Sequence, residues 1–167
     1  MPWSQENIGQ YQQFSKNYIE NFHEKIDCAD LAIVCLVDFA SQNSLPVKLK
    51  YLAGGWKWYS FAPGVTNAVS FKDKATRMLG ALNVIDNTKS IQIADAQPGD
   101  LIMTKWNASL GHTRIIYEIK KDGSEYKVIW YQGNLPPVVP EKREGYFSQI
   151  ANVFGNRPRR WNFAQFS

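Results

Sequence analysis

The chain has 167 residues, of which 44% are hydrophobic, 20% charged and 14% aromatic. That is a globular composition with enough apolar surface to bury a core, and it excludes a disordered chain. The formal net charge of +4 is too small and too scattered to argue for nucleic acid as a partner. Length fits a single domain spanning residues 1–167. The longest clean apolar stretch, Leu31 to Val37, falls far short of the ~20 residues that cross a bilayer, so no membrane insertion is expected.

In chain order, Ser4 to Lys25 reads as a polar-faced helix, with Ile8, Tyr11, Phe14 or Ser15, Tyr18 and Phe22 recurring at helical spacing. Asp27 is a good N-cap for a second helix from Cys28 to about Gln42. That helix is apolar nearly all round, which places it in the centre of a small fold. Asn43 to Leu45 ends it, and Pro46 opens an extended LPVKLKYL. Gly54 to Phe61 reads as a turn followed by an aromatic loop or edge strand. Thr66 or Asn67 caps a third helix predicted to run to about Leu82.

Beyond it the pattern changes to short apolar runs between turns: AQPGD, LIMTKW and SLGH. HTRIIYEIK and SEYKVIWYQ are β-rich, joined by Lys121-Asp122-Gly123, a hairpin signal. A proline-rich LPPVVPEKREG, a short FSQIANVF and a tail, RRWNFAQF, that alternates like a final strand complete the chain. Helices first and an antiparallel sheet afterwards predict the α+β class.

Two cysteines cannot make a disulfide framework. On one helix, Cys28 and Cys35 stand roughly 10 Å apart at ~1.5 Å per residue, beyond the about 7 Å a disulfide tolerates. With two histidines and no Cys-x-x-Cys or His-Glu-x-x-His spacing, neither a metal nor a cofactor is expected. Cys35 sits mid-helix in an apolar run and reads as core. Cys28 opens its helix directly behind a capping aspartate, where unpaired N–H groups and the helix dipole favour thiolate. A thiol nucleophile needs a base, and imidazole suits that near neutrality. His23 falls on the polar helix and reads as solvated, whereas His112 stands at a strand edge after Gly111.

These pieces carry a resemblance. Asp27-Cys28-Ala29-Asp30-Leu31 resembles the D-C-S-G-L start of the central helix in NlpC-type cell-wall peptidases. Gln97-Pro98-Gly99-Asp100-Leu101-Ile102, followed by Gly111-His112-Thr113-Arg114-Ile115-Ile116, is similar to the P-G-D-L … G-H-V-G-I strand pair of that superfamily and of CHAP-type amidases. The resemblance covers landmarks from about residue 27 to residue 134. It implies a papain-like fold, N-terminal helices packed on an antiparallel sheet, in which a helix-borne cysteine meets a strand-borne histidine and a polar third residue. Asp30 stands where those enzymes carry a small residue, and the interval from Cys28 to His112 is longer and includes the WKWY segment, so a divergent branch is implied.

The third member is sought on the hairpin. A three-residue turn at Lys121-Asp122-Gly123 pairs Lys120 with Ser124 and brings Gln132 opposite His112; a register longer by two brings Asn134 there instead. Gln132 is preferred and Asn134 is the alternative. Trp56, Trp58, Tyr59 and Phe61 either pack in the core or at an edge or, in the case of Trp56, Trp58 and Tyr59, line one wall of a substrate groove. Arg157, Arg159 and Arg160 read as a solvated patch.

The leading expectation is a cysteine hydrolase, an amidase or endopeptidase that cuts an amide bond in peptidoglycan peptide stems. Cys28 is the nucleophile, His112 the base and Gln132 the orienting residue. The N-terminal MPWSQENIGQYQQ has neither a basic start nor an apolar core. No secretory signal is therefore expected, and the enzyme reads as an antibacterial effector made in the cytoplasm. A specialised system would export it to a target periplasm, with a periplasmic immunity protein as its partner. A cytoplasm-acting acyltransferase, deamidase or protein-directed peptidase on the same fold is the alternative, and a non-enzymatic binding domain the second.

Overall fold

The computed structural model describes residues 2–151 and 156–167. Its architecture is α+β: α1 to α4 gathered on one face of an antiparallel six-stranded sheet and the short α5 on the other, with a separate two-stranded ribbon. Ser4 caps α1 (Gln5–Glu20) through a reciprocal box with Asn7. The helix stops short of the predicted Lys25, because Asn21 folds its side-chain amide back onto the Asn17 carbonyl. His23 therefore lies beyond the helix rather than on it.

Asp27 caps α2 (Cys28–Gln42) by accepting the N–H of Asp30 at 2.8 Å. The α2 side chains Leu31, Ile33, Leu36 and Val37 are fully buried, each worth about 1.5–3 kcal/mol of apolar burial. Asp38 then ties three helices together, accepting from Tyr18 on α1 and from Lys72 on α3, both at 2.6 Å.

The ribbon pairs β1 (Val47–Leu52) with β2 (Trp56–Phe61). Asn67 caps α3 (Ala68–Met78), which ends before the predicted Leu82. Leu79 turns extended to bury its side chain, and Gly80 starts a separate α4 (Ala81–Asp86). The sheet runs in the order β3 (Thr88–Ser90), β8 (Arg157–Trp161), β4 (Leu101–Lys105), β5 (Gly111–Asp122), β6 (Glu125–Gln132), β7 (Glu141–Tyr146). The predicted final strand closes at Trp161, and Phe163–Phe166 form a 3-10 turn that packs on Trp3. α5 (Phe147–Ala151) opens the FSQIANVF segment, the rest of which lies outside the described residues.

Alternation along the strands divides the sheet into two faces. Leu101, Met103, Ile115 and Tyr131 join the core built on α1 and α2, while Ile102, Ile116, Val128 and Trp130 form a smaller cluster with Phe147 and Ile150 behind the sheet. Asp100, buried, accepts two hydrogen bonds at 2.8 Å from Arg160 and one from the Gln97 N–H. Gly99 takes φ +88° and presses against Ser15 and Tyr11 of α1. The Pro-Gly-Asp segment thus docks the sheet onto α1. Arg159 bonds Thr88 and Ser90 of β3, so two of the three arginines read as a solvated patch instead hold strands together.

Candidate active site

Cys28 and His112 are brought to adjoining ends of α2 and β5. Both backbone groups of Ile116 bond the β4 side, to Gly99 and Asp100. Strand alternation then turns the Thr113 N–H toward β6. The β5–β6 ladder, however, ends at Ile115 and Tyr131. Beyond that pair the two strands are held apart by the segment entering α2: Ile26 bonds Val138 in both directions and accepts from the Asn134 N–H. Gly133 lies so close to the carbonyls of Ile26 and Asp27 that a Cβ there would run into both. The Thr113 N–H, left without a strand partner, is directed at the sulfur of Cys28.

The helix start adds two more donors. Asp27 takes the N–H of Asp30 with its side chain and that of Leu31 with its carbonyl. The N–H groups of Cys28 and Ala29 remain, and both face the sulfur. Against the expected thiolate, burial pushes the thiol above its ordinary value and the neighbouring Asp27 adds to this, outweighing the three N–H groups. Asp30, pressed beside Asp27 and half-buried, has its carboxyl pushed up to about 7, first by desolvation and then by its neighbour.

His112 is 6% exposed, its ring parallel to that of Trp106 with centroids 5.9 Å apart. Nε2 lies 3.1 Å from Oε1 of Gln132. The same oxygen accepts the indole N–H of Trp130 at 2.9 Å. An indole nitrogen can only donate, so Oε1 is the acceptor in both contacts and Nε2 carries the ring proton. Nδ1 is then the basic nitrogen, and among the described residues the ring's one side-chain hydrogen bond is the one to Gln132. Burial, with the Arg114 cation behind it, holds the imidazole below its ordinary pKa despite the Gln132 bond. Sulfur and ring are thus both neutral near pH 7. No hydrogen bond joins the two; the ring bonds Gln132 instead.

Asn134 is turned away, its side-chain oxygen taking the N–H of Leu135. The contact of Gln132 with the ring does not arise from the expected register. Asp122 pairs with Glu125 around a Gly123-Ser124 turn, not Lys120 with Ser124, and a bulge between Ile116 and Glu118 shifts the ladder again. Continued past Ile115–Tyr131, that ladder would set Asn134 opposite His112; Gln132 reaches the ring diagonally.

A groove of about 650 Å³ opens at the Cys28 end of α2. Its walls come from Asp27 and Ala29, from α4 with Leu82 and Asp86, and from the β4–β5 turn with Lys105 and Leu110. The His112 ring stands on the opposite side of β5 from Gly111, which packs closely against Ala81 and Leu82 of the groove wall. Trp56, Trp58 and Tyr59, expected at a groove wall, do not line this groove, which the ribbon meets only at Leu52. Trp56 and Trp58 lie on the ribbon's solvent face, and Tyr59, on the other face, stacks on Tyr51.

Four contributors escaped the sequence reading: Thr113, Arg114, Trp130 and Gly133. Arg114 bonds Thr104, spreads over the Trp130 ring at 5.9 Å and meets no carboxylate in an ion pair among the described residues. Spacing carried a signal for two of them, since Arg114 follows His112 by two on one strand face and Trp130 precedes Gln132 by two on the next. A glycine closing a strand also marks a close backbone approach. Among the described residues no group of three His, Cys, Asp or Glu side chains is placed to hold a metal ion, and no helix is long and apolar enough to cross a membrane. Comparison with protein-family models, with curated proteins and with solved structures finds no match for this chain.

The raised thiol and depressed imidazole fix an expected pH dependence. Alkylation of Cys28 by iodoacetamide rises steadily with pH and inflects above the ~8.5 of an ordinary thiol. Buried Cys35, its thiol pushed much further up by desolvation, stays unmodified. Site-resolved mass spectrometry from pH 5 to 10 reads both rates. A plateau of reactivity persisting down to pH 5 would mean a preformed thiolate–imidazolium pair.

Proposed function

We propose that the protein is a cysteine hydrolase cleaving an amide bond in peptidoglycan peptide stems, on a papain-like arrangement of central helix and antiparallel sheet. The observation that carries the reading is a helix-start sulfur faced by the N–H groups of Cys28, Ala29 and Thr113, the last of them the strand neighbour of an imidazole whose tautomer Gln132 and Trp130 fix. Nδ1 of His112 takes the thiol proton as Cys28 Sγ attacks the carbonyl carbon, and the N–H groups of Cys28 and Ala29 receive the developing oxyanion. The imidazolium then protonates the leaving amine, and water activated by the same ring releases the acyl group. Choice of the stem peptide rests on the resemblance of the Asp27–Leu31, Gln97–Ile102 and Gly111–Ile116 segments to NlpC-type and CHAP-type enzymes.

Incubation with purified peptidoglycan and chromatography of the released fragments tests the substrate directly. Fragments released only when Cys28 is present support it, and intact sacculi with a folded, alkylation-competent protein overturn it. The effector reading, with a periplasmic immunity protein as partner, is part of the same proposal. Delivery of the chain to a Gram-negative periplasm lyses the cell in a Cys28-dependent way, and healthy cells holding folded protein would count against it.

Gln132 acts through His112, so Gln132→Ala lowers turnover by roughly 10-fold to 100-fold, the scale set by a misplaced catalytic group. Gln132→Glu restores part of it, because a carboxylate also accepts from Nε2–H and from the Trp130 indole. It stabilises the imidazolium, so the acid limb of the pH–rate profile moves to higher pH. Asn134→Ala leaves turnover within a few-fold. An unshifted acid limb in Gln132→Glu would remove Gln132 from this role.

A further inference from the structure

The solvent face of the β1–β2 ribbon carries Lys48, Lys50, Leu52, Trp56 and Trp58 together, because Leu52 pairs with Trp56, Lys50 with Trp58 and Lys48 with Ser60. The ribbon's other face is already committed to the core through Val47, Leu49 and Phe61. On the outer face the two indoles remain 49% and 45% exposed and Leu52 62%. Lys50 Nζ sits 4.6 Å from the centre of the Trp56 ring and 5.8 Å from that of Trp58, and Lys48 Nζ sits 4.9 Å from Trp58. Neither lysine has a carboxylate partner among the described residues. The two indoles and Leu52 form an uncovered apolar patch of the kind that marks an interaction surface, and the two lysines beside them give it a positive charge.

We propose that this ladder of Lys48, Trp58, Lys50 and Trp56 is a binding platform for a carboxylate-bearing glycan strand, outside the groove and leading into it. The chemistry matches in two respects. Sugar rings offer C–H faces that pack on indoles, and the carboxylates of the peptide stems that the strand carries compensate the ammonium groups held over the indole rings. Continuity matches as well: Leu52, at the end of β1, both belongs to the platform and lines the groove that holds Cys28. A polymer laid along the ribbon is thereby led to the mouth of that groove. Nucleic acid fits less well, since single-strand binders track the backbone with a long basic groove and this platform offers two cations. The choice of peptidoglycan as the polymer rests on the function proposed above, whereas the platform rests on the ribbon alone.

Binding separates the two. The Cys28→Ala chain, which leaves the polymer intact, is mixed with purified sacculi, with chitin as an uncharged glycan and with single-stranded DNA, across a salt series. Trp56→Ala/Trp58→Ala is expected to weaken sacculus binding at least 10-fold at every salt concentration. Lys48→Ser/Lys50→Ser weakens it at low salt and flattens the salt dependence. All four side chains are partly exposed, and circular dichroism melts confirm that the variants fold. Sacculus binding unchanged in both folded variants overturns the platform. Chitin bound as tightly as sacculi overturns the carboxylate requirement, and DNA bound more tightly through the same residues overturns the glycan. Failure of the parent chain to cut sacculi overturns the proposed hydrolase and does not alter the binding result.

Discussion

Cys28→Ala and His112→Ala are each expected to reduce release of peptidoglycan fragments by roughly 10⁴-fold or more, because nucleophile and base work as one unit and removing either forfeits nearly the whole of it. The double variant should lose little beyond either single one. The structure makes the comparison clean, for neither side chain carries much of the fold. Cys28 occupies the first position of α2, where Asp27 supplies the cap irrespective of the next side chain. His112, at the start of an inner strand, is held among the described residues by one side-chain hydrogen bond and a stacked Trp106. Cys35→Ala is the control: it deletes one sulfur from a fully buried site, costs about 1 kcal/mol of stability by cavity formation, and leaves turnover near that of the parent. Turnover of Cys28→Ala within 10-fold of the parent would sink the thiol mechanism. Loss in His112→Ala restored by added imidazole would place the base at that ring directly.

What the sequence revealed depended on how local the determining physics is. α2 was legible to the residue because both of its signals are local, a capping aspartate and an unbroken apolar run. β3 and β7 were not, since Thr88–Ser90 and Glu141–Tyr146 are short and polar and become strands only by pairing with β8 and β6. The single helix expected from Asn67 to Leu82 divides because Leu79 is drawn into the core, a tertiary demand that helix propensity does not register. The candidate site shows the same boundary. Cys28 and His112 stood out by position alone, while the partner of the ring came from a ladder whose turn and bulge were both misjudged. The thiol's protonation was likewise misread, for a dipole can be anticipated at any helix start but the burial that outweighs it cannot.

Gly133→Ala carries the second large effect, and it acts at a distance from the chemistry. A Cβ at residue 133 has nowhere to go: the atoms in its way are the carbonyl oxygens of Ile26 and Asp27 and the Asp27 carbonyl carbon, all backbone. Those carbonyls are not loose. Ile26 is bonded to Val138 through its N–H at 2.9 Å and its carbonyl at 3.2 Å, and the Asp27 carbonyl accepts the first helical N–H, from Leu31. Relief must come from moving the start of α2 away from the end of β6, and Cys28 moves with it. The thiol then loses the Thr113 N–H that partly offsets its burial, so its pKa rises further and alkylation inflects at a higher pH than in the parent. Turnover is expected to fall about 100-fold, the scale of an ångström-sized displacement of a reacting atom, while overpacking costs roughly 1–3 kcal/mol of stability. Gly9→Ala supplies the contrast, since a Cβ in that α1 position meets nothing within 4 Å and the helix gains up to about 1 kcal/mol from the change. Parent-like turnover together with a parent-like alkylation profile in Gly133→Ala would show that the Ile26–Asp27 segment yields without disturbing the thiol. The wedge between β5 and β6 would then not be what sets the position of Cys28.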